Sequence, residues 1–153
     1  MANKEFTLED AQIMFRNFEG KEGQFNSLGD RNFAVILPQD LADQLAADGW
    51  NIKVLEPKEE GDEPVPYVGV TVRFDIRPPK IVQITSSGRT QLTEELVGTL
   101  DWADIRTCDL MCRGYDWEFA GKTGTKAYLQ TMFVTVEENA LERKYAEMEV
   151  GED

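Results

Sequence analysis

Aromatic and basic residues alternate with apolar ones in the last third of the chain. In one run, Arg113, Tyr115 and Trp117 would share one side of a strand, because successive strand side chains point to opposite faces. A second run repeats the pattern with Lys126 and Tyr128. Flat rings can stack on nucleobases, and neighbouring cations can contact phosphates. These residue types at this spacing therefore favour binding of a single-stranded nucleic acid.

The two runs form the arms of a predicted β-hairpin that spans residues 104–136. Residues 120–124 (AGKTG) carry the turn signal between the arms. The other side of each arm is apolar and is predicted to be buried; it consists of Cys108, Leu110, Cys112, Ala127, Leu129 and Phe133. One face of the hairpin should therefore pack on a core while the rings and cations face solvent.

Residues 67–76 show the clearest alternation in the sequence. Every second residue from Val68 to Ile76 is apolar, so Tyr67 and Arg73 are predicted to point outward. If this strand lies beside the hairpin, the outward residues of the three strands form one strip of rings edged by cations. Taken alone, the residues slightly favour an alternative in which the rings cover a second core or an oligomer interface, because aromatic stripes on strands are usually core.

The charge is strongly negative but unevenly distributed. The chain has a formal net charge of -13, and two segments hold most of the excess. Residues 137–153 carry seven acids against two cations, and residues 56–63 carry five acids against one cation. Residues 64–93 reverse the balance, with four cations against Asp75. Since binding responds to the local field, a basic surface inside an acidic protein remains compatible with a nucleic-acid partner.

Further candidate contacts lie in loops and at strand ends. They are Lys21, Phe25, Arg31, Arg77, Lys80, Arg89 and Lys122. Phe25 is equally compatible with a ring that tucks under its polar loop and with one that stacks on a base. Lys122 follows a glycine as in a P-loop, but Asp116 occupies the position that must be glycine, and a hairpin replaces the required strand-to-helix turn. Nucleotide hydrolysis is not predicted here, and Lys122 is interpreted as a cation at the hairpin tip.

No catalytic residue, metal or cofactor is predicted. The chain has no histidine, which removes the commonest general base and the Ser-His and Cys-His nucleophile pairs. Cys108 and Cys112 would lie about 13 Å apart on a strand, beyond disulfide reach, and are interpreted as core residues. An enzyme that uses only carboxylates and a metal ion is a weak third alternative, because Asp101 and Asp104 are the one close carboxylate pair near the hairpin and solvated turn acids account for them equally well.

The order of predicted elements indicates a mainly β protein. Strands are predicted at 13–18, 31–37, 50–55, 67–76 and 81–85 before the hairpin, with a helical turn at 7–10 and short helices at 40–48 and after Thr93. This order matches a five-stranded OB-type Greek-key barrel with one or two short helices; a β-sandwich with two packed helices is the second choice. Residues 1–137 form the predicted domain. Residues 138–153 form a predicted acidic C-terminal tail, partly helical from Asn139.

The sequence predicts no signal peptide and no membrane span. The N-terminus has no apolar run of the kind found in a signal peptide, and no segment approaches the length of a membrane span. A soluble, cytoplasmic protein is therefore expected.

Five short segments resemble a known family. They are residues 17–21 (NFEGK), 29–33 (GDRNF), 77–81 (RPPKI), 100–104 (LDWAD) and 121–128 (GKTGTKAY). Together they are similar to the OB-fold single-stranded DNA-binding proteins encoded by bacteriophages. The resemblance implies sequence-independent binding of single strands during phage DNA replication or recombination, in the cytoplasm of a bacterial host and without catalysis.

The resemblance also implies a role for the acidic tail. In such proteins a negative tail competes with DNA for the basic groove and recruits replication proteins; the residues that fit this part are Glu147, Glu149, Glu152 and Asp153. Tails of this kind often end in an aromatic residue, whereas this chain ends in Gly-Glu-Asp, so the part expected of the tail is electrostatic competition.

Two further expectations stay open at the level of sequence. The net charge is also compatible with an acidic nucleic-acid mimic or adaptor that binds a host protein, in which case the strip would be a protein interface. The sequence is equally compatible with a monomer and a homo-oligomer.

Overall fold

The computed structural model describes residues 4–24, 26–75 and 77–137. Within these ranges the chain forms nine strands and two helical segments. The strands are β1 (Glu5–Leu8), β2 (Ile13–Asn17), β3 (Arg31–Ile36), β4 (Ile52–Leu55), β5 (Val65–Val72), β6 (Lys80–Thr85), β7 (Gly88–Gln91), β8 (Ile105–Phe119) and β9 (Lys122–Val136). The helix α1 spans Gln39–Ala47, and a 3-10 helix spans Val97–Asp101.

The strands form one branched sheet organised around β9. The main path runs β1-β8-β9-β5-β3-β2, with β4 paired to β5 and the β6–β7 hairpin paired to β9. One edge of β9 pairs along its whole length with β8. Its other edge pairs in parallel with β5 at Ala127 and Tyr128, and then with β6 from Thr131 to Thr135. A strand of 15 residues is long enough to serve both partners in turn.

The predicted hairpin is confirmed as β8 and β9. Its turn is shorter than the predicted five residues, since Ala120 and Gly121 alone connect the strands, with φ of 52° and 80°. Two successive residues with positive φ define a type I′ turn, whose twist matches that of the flanking strands. Glycine adopts this conformation without a steric cost, which explains Gly121.

A β-bulge corrects one predicted core position. Met111 pairs with Thr131 and Cys112 with Leu129, so Gln130 is an extra residue on β9. The alternation of buried side chains therefore shifts by one residue beyond it. Ala127 and Leu129 are buried as predicted, but Met132 and Val134 are buried in place of Phe133. The prediction for Phe133 was wrong because it assumed an unbroken period of two.

The mainly β class is confirmed, whereas the predicted number of strands is corrected from five to nine in the described ranges. Two four-residue strands were not predicted: β1, whose Thr7 and Leu8 were expected in a helical turn at 7–10, and β7, which lies between the predicted strand 81–85 and the helix after Thr93. Each is held by pairing with a neighbour, which a local pattern does not reveal. The helix predicted after Thr93 is reduced to the 3-10 helix, and the helix predicted from Asn139 lies outside the described residues.

The core lies on the inner face of the sheet. Cys108 and Cys112 are both fully buried and unpaired, as predicted. The predicted helix 40–48 corresponds to α1, which places Leu45 in the core, and the 3-10 helix adds Val97 and Leu100. In the part of the chain that the structure describes, no helix is long and apolar enough to cross a lipid bilayer.

Candidate nucleic-acid interface

The three strands of the predicted strip lie side by side. In the sheet, β9 is flanked by β8 and β5. Tyr128 pairs with Arg113 on one side and with Thr71 on the other, and Lys126 pairs with Tyr115. Residues that are directly opposite in adjacent strands point to the same face. The rings and cations of β8 and β9 therefore share the outer face of the sheet, as predicted.

One part of this face is a groove of about 800 Å³, here called the arginine groove. Its lining consists of Lys4, Glu5, Arg73, Arg77, Arg113, Gly114, Tyr115, Tyr128 and Gln130. Four of these residues are cations and one is an acid. The local charge is therefore opposite in sign to that of the whole chain, and it favours a polyanion.

Tyr128 lines the arginine groove and contacts several of its neighbours. Tyr115 meets it edge to face, with ring centroids 6.3 Å apart. The guanidinium carbon of Arg113 is 6.0 Å from the centre of the Tyr128 ring, and the Lys126 Nζ is 5.5 Å from it. Contacts of this kind orient a ring and hold cations beside it. The arrangement provides a flat surface for a base next to positive charges for its phosphates.

The cations of the groove differ in how far their charge is already compensated. Arg73 donates from Nε to Asp75 Oδ1 at 3.0 Å, and this hydrogen bond and the charge of Asp75 raise the pKa of Arg73 above its usual value. Arg113 forms no ion pair with any other residue that the structure describes. Arg113 can therefore meet a phosphate without first giving up a carboxylate, whereas Arg73 cannot.

Lys4 connects the groove to the hairpin. Its Nζ lies 3.0 Å from Asp116 Oδ1 and donates to Thr125 Oγ1 at 3.1 Å and to the carbonyl of Asp48 at 2.9 Å. Hydrogen bonds from Thr125 and Lys4 lower the pKa of Asp116 below its ordinary value. Lys4 thus ties β1 to β8, β9 and the end of α1, and it was not identified from the sequence.

A second groove, here called the aromatic groove, encloses about 420 Å³. Its outward lining includes Phe15, Asn51, Lys53, Tyr67, Gly69, Thr71, Trp117 and Lys126. It adjoins the arginine groove, since Lys126 contacts the Tyr128 ring and Thr71 pairs with Tyr128. Trp117 lies close over β9: a Cβ added at Gly124 would stand 2.7 Å from its Cζ2 atom. Only glycine at position 124 leaves room for this ring.

Sequence reasoning missed three outward residues of the aromatic groove. Asn51 and Lys53 alternate with Trp50 and Ile52, which are buried and half-buried, so the period-two pattern could have identified them. Phe15 had no such signal. It lies at a β-bulge in β2, with a φ of 53°, and no local pattern marks that bulge.

Eight predicted site residues line the two grooves: Tyr67, Arg73, Arg77, Arg113, Tyr115, Trp117, Lys126 and Tyr128. Two other candidates lie elsewhere in contacts of their own. Lys21 Nζ is 4.7 Å from the Trp102 ring centre and 3.4 Å from a Glu19 carboxylate oxygen. Arg31 is largely buried and pairs with Glu94 at 3.2 Å.

The remaining candidates are also outside the grooves or outside the described residues. Lys80 is exposed, with its Nζ 5.8 Å from the Phe133 ring centre. Arg89 lies in the β6–β7 hairpin and Lys122 at the tip of the β8–β9 hairpin, and both are exposed. Phe25 and the four acids of the tail, Glu147, Glu149, Glu152 and Asp153, lie outside the described residues.

Asp101, one of the two acids before the hairpin, serves the fold. Asp101 accepts hydrogen bonds from the backbone N–H groups of Phe18 at 2.7 Å and Glu19 at 3.1 Å. Among the residues that the structure describes, no cluster of cysteines and acids could hold a metal ion. Burial raises the pKa of the Cys108 thiol to about 12 and that of Cys112 further, so neither is a ready nucleophile.

Comparison with solved structures shows what the fold is similar to. Two structures of the single-stranded DNA-binding protein from bacteriophage Enc34 share the fold. One matches with 8% identity and a TM-score of 0.56, over 88% of this chain and 82% of that chain. The other, in complex with single-stranded DNA, matches with 11% identity and a TM-score of 0.53, over 88% of each chain.

Sequence comparison gives the family. No curated protein sequence matches the chain. A family model described as "Putative phage ssDNA-binding domain" matches residues 1–153, the whole chain. The chain therefore belongs to the family of phage single-stranded DNA-binding domains.

Proposed function

We propose that single-stranded DNA crosses the outer face of β8, β9 and β5 and binds there without sequence preference. The observation that carries this proposal is the Tyr128 ring, with Tyr115 edge-on to it and with Arg113 and Lys126 beside it. The family is one of binding domains, so the protein acts by binding and not by catalysis. Family membership also favours DNA binding over the nucleic-acid mimic that the net charge allows.

Each contact type has a separate part in this binding. Tyr115 and Tyr128 would stack on bases, and each stacked base contributes roughly 1–3 kcal/mol whatever its identity. Arg113 and Arg77 would contact phosphates, as would Arg73 once it leaves Asp75. Because phosphate contacts release bound counterions, affinity should fall as salt rises, with a slope of about -0.7 per contacted phosphate on single strands.

The test is a titration of labelled oligothymidylate at several salt concentrations, with tryptophan fluorescence as a second signal. Arg113→Ala should weaken binding several-fold and reduce the magnitude of the salt slope by about 0.7, the value for one phosphate contact. The matched control is Arg89→Ala, which removes an exposed cation outside both grooves. Equal effects of the two substitutions would contradict the proposed surface, and a failure of the whole chain to bind at low salt would contradict the function.

The order of the strands supports an OB-type arrangement of the sheet. The order β3-β5-β9-β8 includes one parallel pair, β5 with β9, formed between strands far apart in the sequence. The long connection that joins β5 to β9 supports a Greek-key barrel of the OB type, to which β1, β4 and the β6–β7 hairpin would be additions. The proposed role is in DNA replication or recombination of a phage, in the host cytoplasm.

We also propose that residues 138–153 act as an acidic tail separate from the domain of residues 1–137. Residues 137–153 carry seven acids against two cations, and the arginine groove carries four cations, so the two are complementary in charge. The tail would compete with DNA for the groove and, when displaced, be available to replication or recombination proteins. Its acids nearest the C-terminus are Glu147, Glu149, Glu152 and Asp153.

A further inference from the structure

Phe15 adopts a backbone conformation that suits few residues. Met14 pairs with Ala34 and Asn17 with Asn32, so β2 carries one residue more than β3 between these pairs. Phe15 lies in this bulge with a φ of 53°. A bulky side chain in the left-handed region is strained, and glycine or asparagine is the usual solution.

The bulge itself has a structural reason, but the phenylalanine does not. The residue after Phe15 is Arg16, which donates from Nη1 to the carbonyls of Leu100 and Ala103 at 2.8 and 2.7 Å. A bulge that directs Arg16 to these carbonyls needs only a backbone that tolerates positive φ. Glycine at position 15 would satisfy that need without strain.

Burial does not compensate for the strain. The Phe15 side chain is 60% exposed and is not part of the core cluster. Its aromatic contact is edge-on with Tyr67, with ring centroids 5.9 Å apart, and Tyr67 is itself half-buried in the groove. Strained residues that the fold does not require are concentrated at functional sites. The exposed ring therefore fits a ligand-binding role better than a packing role in the free protein.

The surroundings of Phe15 fit one nucleotide. Phe15 and Tyr67 line the aromatic groove together with Lys53, Lys126 and Trp117. Its volume of about 420 Å³ lies in the range of small-molecule sites, roughly 300–1,000 Å³. On its floor, a Cβ added at Gly69 would meet no atom within 4 Å, so the space above this strand is open.

We propose that Phe15 is a base-stacking residue and that the aromatic groove extends the DNA track by one nucleotide, from the β8–β9 hairpin across β5 to β2. The base would stack against Phe15 beside Tyr67, with Lys53 and Lys126 next to its phosphates. This inference rests on the proposed function, because it assigns the far end of the same strand of DNA.

The test measures both stability and DNA binding. The inference predicts that one substitution keeps or raises the melting temperature while it weakens binding. Phe15→Gly should keep or raise the melting temperature, because it relieves strain and removes little buried surface. The same substitution should weaken binding to long oligothymidylates about tenfold, within the range for one lost stack. Oligothymidylates of roughly 4 to 16 nucleotides, the site sizes of OB folds, would be compared, and the shortest that bind should be unaffected. Phe15→Tyr should retain wild-type binding.

Two further variants test whether DNA occupies the aromatic groove itself. Gly69→Val places a side chain on the floor of the groove, where an added Cβ meets no atom within 4 Å. It should reduce binding to long oligonucleotides, and its melting temperature checks that the fold stays intact. Trp102→Ala removes a 76% exposed ring outside both grooves and should leave binding to oligonucleotides unchanged. If Phe15→Gly binds long oligonucleotides like the wild type, or lowers the melting temperature, the inference is wrong. If the inference on Phe15 fails in this way but Arg113→Ala still weakens binding, the proposed function is retained.

Discussion

At the scale of single residues, Asp75 pairs with Arg73, a cation that we propose contacts DNA. The two side chains form a double hydrogen bond, and the same pairing raises the pKa of Arg73. A phosphate that binds Arg73 must displace this carboxylate. The free protein therefore carries an internal competitor for one cation of the arginine groove.

We expect Asp75→Asn to tighten binding of single-stranded DNA several-fold at low salt. The substitution removes the competing charge, so a phosphate binds Arg73 without first breaking its ion pair with Asp75, and the gain should shrink as salt screens that charge. Titration with oligothymidylate measures both effects. Asp62→Asn, in the exposed acidic loop before β5, makes the same change in net charge and is the control. Equal gains in the two variants would mean that net charge, and not the Arg73 pair, is responsible.

Asp116 makes the attachment of β1 sensitive to acid. Hydrogen bonds from Thr125 and Lys4 lower its pKa below the ordinary value of 3.8. A carboxylate whose pKa is lower in the folded state stabilises the fold above its unfolded pKa, and this contribution is lost as the pH falls through the folded value. The stabilisation is therefore complete at neutral pH and is lost below about pH 4.

We expect Asp116→Asn to lower the melting temperature at pH 7 and to have much less effect near pH 3. Thermal unfolding of both proteins at the two pH values measures this difference. Glu118→Gln, an exposed acid on the same strand, serves as the control and should show no such convergence. If the Asp116→Asn variant has a melting temperature as far below that of the wild type at pH 3 as at pH 7, the role of the carboxylate charge is contradicted.

At the scale of elements, the turn of the β8–β9 hairpin is not optimal in sequence. Ala120 has a φ of 52°, a conformation that costs energy for a residue with a Cβ, whereas Asn-Gly is the preferred pair for a type I′ turn. The hairpin forms nevertheless, because its long arms bury one face of both strands.

We expect Ala120→Asn to stabilise the fold by about 0.5–1 kcal/mol, the usual gain from a residue that suits its backbone conformation. For a chain of this size, the melting temperature should rise by about 2–4 °C per kcal/mol. Binding of DNA should not change, since position 120 lines neither groove. The control is Thr123→Asn in β9, next to the turn. A rise after Thr123→Asn that matches that of Ala120→Asn would rule out the turn conformation as the cause.

At the scale of the whole molecule, the proposed binding mode relies on a local excess of cations in a chain with a net charge of -13. The arginine groove is positive at short range, while the acidic segments are negative at longer range. Salt screens the long-range part first, because the Debye length is about 10 Å at 0.1 M. The effect of the tail on binding should therefore be strongest at low salt.

We expect a chain that ends at Glu137 to bind single-stranded DNA more tightly than the full chain, with a difference that shrinks as salt rises. Titrations of both chains over the same salt series measure it. A full-length variant with Glu147, Glu149, Glu152 and Asp153 changed to the corresponding amides separates charge from length. If these amides leave affinity unchanged at low salt, or if the shortened chain binds no better, the competing tail is contradicted.

The sequence by itself determined which side chains face outward on individual strands. The period of two placed Arg113, Tyr115 and Tyr128 opposite the buried cysteines, and the structure confirms that separation. It also indicated the hairpin and α1, because turn residues and helix periodicity are local signals. The outward direction of these rings and cations could therefore be predicted without knowledge of the fold.

Only the tertiary structure decided how those strands meet. The parallel pairing of β5 with β9 brings Tyr128 beside Arg73, more than fifty residues away in the sequence. Arg31, in contrast, forms an ion pair with Glu94 outside the grooves. Each bulge, at Gln130 and at Phe15, shifts the alternation by one residue. Side-chain periodicity is a property of one strand, whereas strand partners and bulges follow from the packing of distant segments. The grooves were therefore beyond the reach of the local pattern.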